Sequence, residues 1–185
     1  MAKVTSLYAL DMSDLDLNRL YSYWWDSGFY DNTYPTYNDI AYEDVYWVDW
    51  LYQGNYYESV FGGYGFTFDA DGRLTGGTVT GYLESYWDSN IGYVPYFAIE
   101  DSAVSAVEIW NAATTTSTYD DTSILVSMLS QNDTLYGSDF SDVLFGYAGS
   151  DTFYATGGGD QIIGGAGTDT FVNTSVTSEA LTITQ

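Results

Sequence analysis

Apolar and polar positions alternate, imperfectly but repeatedly, through the first half of the chain, and this pattern predicts β-strands. Aromatic residues, which favour strands, are dense between residues 21 and 61. The segment Tyr64-Gly-Phe66-Thr-Phe68 alternates with period two, and Asp71-Gly72 separates it from a second run over residues 73–80. Because Asp-Gly readily supplies the positive φ angles of a tight turn, we predict a β-hairpin here.

The same turn begins like a calcium-binding loop. Asp69 and Asp71 precede Gly72 with the spacing that opens an EF-hand. The twelfth residue from Asp69 is Thr80, however, where an EF-hand needs a Glu that binds through both oxygens. We therefore interpret the segment as a turn.

Two stretches near the middle of the chain change to helical spacing. In the first, Ser102 can cap a helix that carries Ala103, Val107 and Trp110. In the second, Asp120 and Asp121 suit a helix N-terminus, and the apolar residues that follow recur about one turn apart: Ile124, Leu125, Met128 and Leu129. We expect both helices to be short and to pack on the sheet.

A nine-residue repeat occupies the C-terminal part of the chain. It places aspartates at Asp133, Asp142, Asp151, Asp160 and Asp169, and an apolar residue two positions after each of them. One short strand with a single inward apolar side chain cannot bury itself alone, so neighbouring units must stack. Two units form one full turn of a flattened parallel coil, which pairs Asp151 with Asp169 and Asp142 with Asp160, eighteen residues apart.

The repeat resembles the repeats-in-toxin (RTX) family of bacterial calcium-binding β-rolls. The resemblance covers about residues 133–172, and its best copies begin at Gly146 and Gly164. It implies that loop carbonyls and the repeat aspartates hold one to three Ca²⁺ ions. The implied metal-site residues are Asp151, Asp169, Asp142, Asp160 and Asp133, with Gly146, Gly149, Gly164, Gly165 and Gly167 shaping the loops.

Other loops depart from the family pattern. Phe140 stands where the fourth-position glycine belongs, and the loop over residues 155–160 lacks the first two glycines. Asp133 follows a predicted helix rather than a glycine loop. The site between the loops at Gly146 and Gly164 is therefore the first candidate.

The charge of the chain and the residue types that it lacks exclude several classes of function. The chain has 26 acidic and 3 basic residues, a net charge of -23, and no His or Cys. This charge would repel a nucleic-acid backbone. The missing residue types exclude disulfides, Cys/His zinc sites and Ser-His or Cys-His catalytic pairs. No run reaches the roughly 18 apolar residues of a membrane helix, and we expect neither a membrane span nor a cleavable N-terminal signal.

These observations predict a mainly β protein. We expect an aromatic-rich, acidic N-terminal β domain over residues 1–131, with two short helices near its end. A C-terminal parallel β-roll follows over residues 132–173, and residues 174–185 form a tail. The resemblance implies type I secretion with that tail as an uncleaved signal, and therefore an extracellular or cell-surface location.

Three functions remain open for the aromatic region. The first, which we favour, is a structural subunit that self-associates into a surface layer, filament or biofilm matrix, because Tyr and Trp are enriched at interfaces. The second is an adhesin or carbohydrate-binding module that stacks sugar rings on aromatic side chains. For either role the candidate aromatic residues are Tyr23, Trp24, Trp25, Trp47 and Trp50.

The third function is a glycosidase, which would need two paired carboxylates. Asp44 with Asp49, or Glu43 with Glu58, could form such a pair. With 26 acidic residues, however, pairs occur by chance. We assign no catalytic residue and expect that the protein is not an enzyme.

Overall fold

A computed structural model describes residues 1–37, 39–173 and 182–184 and confirms a mainly β protein. Among these residues the strands are β1 (Lys3–Ser6), β2 (Trp24–Tyr30), β3 (Thr36–Tyr37), β4 (Ile40–Ala41), β5 (Asp44–Tyr52), β6 (Asn55–Phe68), β7 (Leu74–Asp88), β8 (Gly92–Glu100), β9 (Val104–Ser105), β10 (Thr134–Tyr136), β11 (Val143–Phe145), β12 (Thr152–Ala155), β13 (Gln161–Ile163), β14 (Thr170–Asn173) and β15 (Thr182–Thr184). The helices are α1 (Asn18–Ser22), α2 (Ala106–Ala113) and α3 (Thr118–Met128), with a short 3-10 helix at Met12–Asp14.

One ten-stranded sheet runs through most of the molecule. Its order is β14-β12-β10-β1-β8-β7-β6-β5-β2, and β9 pairs with β7 off this path. The strands from β8 to β2 are antiparallel, whereas β1, β10, β12 and β14 are mutually parallel. β1 joins the two halves because it pairs antiparallel with β8 on one side and parallel with β10 on the other.

The hairpin predicted around Asp71-Gly72 is confirmed. β6 and β7 are antiparallel neighbours, and Gly72 has a φ of 78° in the turn between them. The Asp69 carboxylate accepts the backbone N–H groups of Asp71 and Arg73, both at 2.9 Å. Asp69 therefore acts as a turn residue, and Thr80 lies within β7.

Both predicted helices are present as α2 and α3, but one boundary differs, and the short helix α1 was not predicted. α3 carries Asp120 and Asp121 in its first turn, as expected. α2 begins at Ala106 with Ser105 as its cap, so the prediction of Ser102 as the cap was wrong. Ser102 instead donates its backbone N–H to the carbonyl of Thr80, because β9 must first pair with β7.

The C-terminal strands form the two parallel sheets of a β-roll. β10, β12 and β14 stack in one sheet and β11, β13 and β15 in the other. Leu135 pairs with Phe153 and Leu144 pairs with Ile162, each eighteen residues apart, which confirms two repeat units per turn. These four side chains are fully buried between the sheets.

The larger of two hydrophobic clusters among the described residues extends from the antiparallel half into the roll. It includes Val4 on β1, Ile99 on β8, Leu129 after α3 and Phe153 on β12. The sheet and this core are thus continuous across residues 131 and 132, where the sequence predicts a domain boundary. Of the predicted tail, residues 174–181 and 185 lie outside the described residues. No helix in the described ranges has the length and apolar character needed to cross a membrane.

Candidate metal centre in the roll

The repeat aspartates lie on two sides of the roll, at the ends of two columns of stacked loops. The 151 stack comprises the loops that end at Asp133, Asp151 and Asp169, and the 142 stack comprises those that end at Asp142 and Asp160. This separation follows from the fold, because successive nine-residue units alternate between the two sheets. The pairs predicted from the spacing are therefore brought to the same side.

One oxygen of each repeat carboxylate holds neighbouring turns together. Asp151 Oδ1 accepts the backbone N–H of Asp133 at 2.8 Å, and Asp169 Oδ1 accepts that of Asp151 at 3.0 Å. In the other stack, Asp160 Oδ1 accepts the N–H of Asp142 at 3.1 Å. Each Asp thus bonds to the equivalent residue eighteen positions earlier, and the register of the coil is fixed by charged hydrogen bonds.

The second oxygen behaves differently in the 151 stack. Oδ2 of Asp133, Asp151 and Asp169 is buried without a hydrogen-bond partner. Burial, together with the negative charges of Asp133 and Asp169, raises the pKa of Asp151 to about 6. A column of buried, unpartnered carboxylate oxygens is costly unless a cation neutralises it. These residues therefore fit the hard, oxygen-ligated Ca²⁺ ion.

The glycines allow backbone oxygens to approach the same column. A Cβ placed on Gly146 would overlap Asp151 Oδ2 and lie 2.7 Å from the carbonyl oxygen of Gly164. A Cβ on Gly164 would overlap Asp169 Oδ2 in the same way. A carboxylate and a carbonyl oxygen thus flank one point between two loops, which only glycine leaves open.

Three further glycines permit close stacking of the loops. Gly149, Gly165 and Gly167 all have positive φ, at 143°, 92° and 139°. A Cβ on Gly167 would collide with the carbonyl of Gly149, and one on Gly149 with the carbonyl of Gln131. Each loop therefore lies directly against the carbonyl groups of the preceding turn.

The 142 stack is more fully satisfied by the protein itself. Asp142 Oδ2 accepts the backbone N–H of Ser138 at 2.6 Å and its hydroxyl at 3.0 Å, while Oδ1 accepts the N–H of Leu10 at 2.7 Å. Burial raises the pKa of Asp142, and these hydrogen bonds oppose that effect. Phe140, in place of the repeat glycine, is half exposed on this side. The structure therefore distinguishes the two stacks, with the unpartnered oxygens in the 151 stack.

The N-terminal segment forms the turn of the coil that precedes the first repeat. The sequence did not reveal this role. Ala2 donates its N–H to Asp133 Oδ1 and Leu10 donates to Asp142 Oδ1, in the positions that repeat aspartates take in later turns. Asp11 also forms a parallel bridge with Val143. Residues 2–11 contain no repeat motif, so only their pairing identifies this role.

No three Asp or Glu side chains converge on one metal-binding point in the described ranges. This agrees with a site that combines one carboxylate from each loop with backbone carbonyls.

The aromatic candidates separate into surface and core residues. Tyr23, Trp24 and Trp25 are exposed at the edge strand β2, Trp25 by 63%. Trp50 is only 3% exposed, stacks on Tyr57 and was therefore wrongly included as a surface residue. The fifth candidate, Trp47, is half-buried and covers Gly28 on the adjoining strand.

Asp44 and Asp49, one of the two carboxylate pairs considered for glycosidase chemistry, do not lie together. Asp44 is buried and accepts the N–H groups of Asn32 and Phe66, which gives it a structural role. It is five residues from Asp49 on β5, so the two side chains lie on opposite faces. Asp49 instead faces Glu58 across the β5–β6 ladder.

Comparison with known proteins agrees with the geometry of the roll. Residues 130–162 and 148–172 match the RTX calcium-binding nonapeptide repeat, a model of four repeat copies. Neither the comparison with curated proteins nor that with solved structures finds a match. The matched residues cover the described roll from β10 to β14, and the antiparallel half lies outside the match.

Proposed function

Since residues 130–172 are RTX calcium-binding nonapeptide repeats, we propose that the protein is a secreted, calcium-folded structural protein that self-associates outside the cell. The repeats indicate calcium binding. Secretion, self-association and the absence of catalysis are the parts that we propose. The observation that carries the proposal is the column of three unpartnered carboxylate oxygens in a roll whose sheet continues into the aromatic region.

Calcium bound in the 151 stack would stabilise the folded state rather than take part in catalysis. The ligand oxygens that we assign come from Asp151, Asp169 and loop carbonyls between Gly146 and Gly167. They are close together only in the folded coil, where the carboxylates also repel each other. Binding that occurs in the folded state alone stabilises that state. Low calcium inside a cell would favour an exportable unfolded chain, and higher calcium outside would fold it.

The surface proposed for self-association is the aromatic edge, which we define as Tyr21, Tyr23, Trp24, Trp25 and Tyr56. These side chains are all exposed, and Trp25 contacts Tyr56 edge to face. Among the described residues, β2 pairs only with β5, so it is one end of the ten-stranded sheet. An exposed edge strand with large aromatic side chains is suited to pairing with another chain. The proposed partner is a second copy of this protein.

Charge makes this association depend on calcium. Two copies that each carry a net charge of -23 repel strongly in the absence of counter-ions. Each Ca²⁺ bound in the roll removes two negative charges, and a folded roll also fixes the sheet whose far end is β2. We therefore expect assembly to require both calcium and the aromatic edge.

Light scattering of the purified protein in millimolar calcium, and then in excess chelator, tests the proposal. We expect large particles in calcium that disperse in chelator. Trp25→Ser should reduce their size, because it removes the most exposed Trp of the aromatic edge. The matched control is Trp87→Ser, since Trp87 is also exposed but lies at the end of β7.

A monomer in both solutions would contradict self-association. A monomer whose Trp emission shifts with a polysaccharide, and whose shift is lost in Trp25→Ser, would favour the adhesin instead. Equal effects of the two Trp substitutions would contradict the aromatic edge as the interface.

A further inference from the structure

An apolar cavity of about 530 Å³ lies between the antiparallel half of the sheet and two helices. Its floor is formed by side chains of β5, β6 and β7, among them Val48, Phe61 and Val79. Ile109 and Trp110 of α2 close it from above, and Leu20 of α1 closes one side. The cavity is remote from the roll and takes no part in the proposed calcium site.

The walls of this cavity carry no Asp, Glu, Lys or Arg among the described residues. That is unusual in a chain with 26 acidic residues. None of the three basic residues of the chain lines the cavity. Lys3 and Arg19 form ion pairs elsewhere. Arg73 follows the lining residue Gly72, but its side chain is exposed outside the wall. A charged ligand would therefore lose its hydration without gaining a partner of opposite charge.

The mouth of the cavity is marked by two exposed aromatic side chains. Tyr21 and Trp24 line the cavity and are more than half exposed, whereas the floor residues are buried. The volume is within the range of about 300–1,000 Å³ found for small-molecule sites. It is also about three and a half times that of the ~150 Å³ apolar cavity that takes up benzene.

We propose that this cavity binds a neutral apolar molecule of two or three fused or linked rings, or an aliphatic chain of similar volume. Entry between Tyr21 and Trp24 buries the apolar surface of the ligand against the floor and α2, which supplies the affinity. A single-chain lipid fits only when its head group is uncharged, because the wall offers no ion-pair partner. The strongly negative field of the protein further disfavours an anionic head group.

The neutral fluorophore N-phenyl-1-naphthylamine provides the first test, in calcium-containing buffer with the full chain, at a protein concentration low enough that light scattering shows monomers. We expect one bound equivalent and a rise in its emission. Decan-1-ol should displace it, while decanoate and decylammonium should need concentrations at least about tenfold higher, since each leaves a charge unpaired. Equal displacement by all three compounds would contradict the proposal.

Two variants distinguish the cavity from other apolar surfaces. Ala113→Phe places a ring in the cavity wall and should weaken fluorophore binding by about tenfold or more, whereas Ala103→Phe, at an exposed position outside the wall, should not. Trp25→Ser should leave binding intact, because Trp25, unlike Tyr21 and Trp24 of the same aromatic edge, does not line the cavity. Native-like melting with unchanged binding in Ala113→Phe would overturn the assignment. Should that variant not fold, the head-group series on the unaltered chain decides.

Discussion

Three acidic side chains lie opposite one another on neighbouring strands of the antiparallel half. Asp49 faces Glu58 across two strands, and Asp26 lies beside Asp49 on the next strand. Partial burial, followed by the charge of Asp49, raises the pKa of Glu58 to about 7. The pKa of Asp49 is raised mainly by burial, and a hydrogen bond with Tyr93 opposes this. Both ionised groups therefore destabilise the folded state near neutral pH.

Glu58→Gln should stabilise the protein above neutral pH. Because the pKa of Glu58 is higher in the folded chain than its ordinary value of 4.5, the folded state binds the proton more readily between these two values. Stability due to this group is greatest below about pH 4.5 and falls as the pH rises to about 7. After allowance for partial exposure, we expect a gain of about 1 kcal/mol at pH 8 and none at pH 4.

Urea denaturation of both proteins at these two pH values, in one fixed calcium concentration, measures that difference. Glu43→Gln is the matched control, because Glu43 is partly exposed just before β5 and does not face another strand. An equal gain at both pH values, or a gain in the control, would show that the charge of Glu58 is not the cause.

At the scale of elements, β1 connects the two halves of the molecule. Val4 lies opposite Ile99 of the antiparallel half and opposite Leu135 of the roll, and all three side chains are buried. The backbone of Ala2 and Leu10 also orients the first repeat aspartate of each stack. The N-terminal segment therefore pairs with the first turn of the coil and fixes its position.

Val4→Ala should destabilise both halves together. Loss of two buried methyl groups at this position should cost about 2 kcal/mol and also weaken calcium binding, since the position of β1 sets that of Asp133. Thermal melting and a calcium titration measure the two effects. Val126→Ala on the exposed side of α3 makes the same change and should alter neither. Reduced stability with unaltered calcium affinity would show that β1 stabilises the antiparallel half but does not position the calcium site.

The sequence predicted the elements whose signals are local or periodic. The nine-residue spacing located the roll, its register and its aspartates, and Asp71-Gly72 located the hairpin. It could not reveal β1 as a turn of the coil, because residues 2–11 pair with segments more than 120 residues away and carry no motif. For the same reason it could not show that Ser138 and Leu10 satisfy Asp142 while Asp133 keeps an unpartnered oxygen.

At the scale of the whole molecule, the continuous sheet separates the calcium-binding repeats from the proposed self-association edge and from the proposed apolar ligand site. The unpartnered carboxylate oxygens lie in the roll, whereas the aromatic edge is at the opposite end of the sheet and the apolar cavity is under α2. All six Trp residues precede the roll in the sequence. Their emission therefore reports the antiparallel half without a direct contribution from the metal site.

Thermal unfolding followed by Trp emission, with and without calcium, measures whether the calcium-binding repeats stabilise the antiparallel half as well as the roll. At about 100 times the dissociation constant, one ion adds about 2.7 kcal/mol, which raises the Tm by roughly 5–10 °C for a chain of this size. Asp151→Asn should abolish most of this shift while keeping an acceptor for the Asp133 N–H, and Asp139→Asn, at an exposed position of the roll, should retain it. A Trp transition that calcium does not move, or a full shift in Asp151→Asn, would contradict the account.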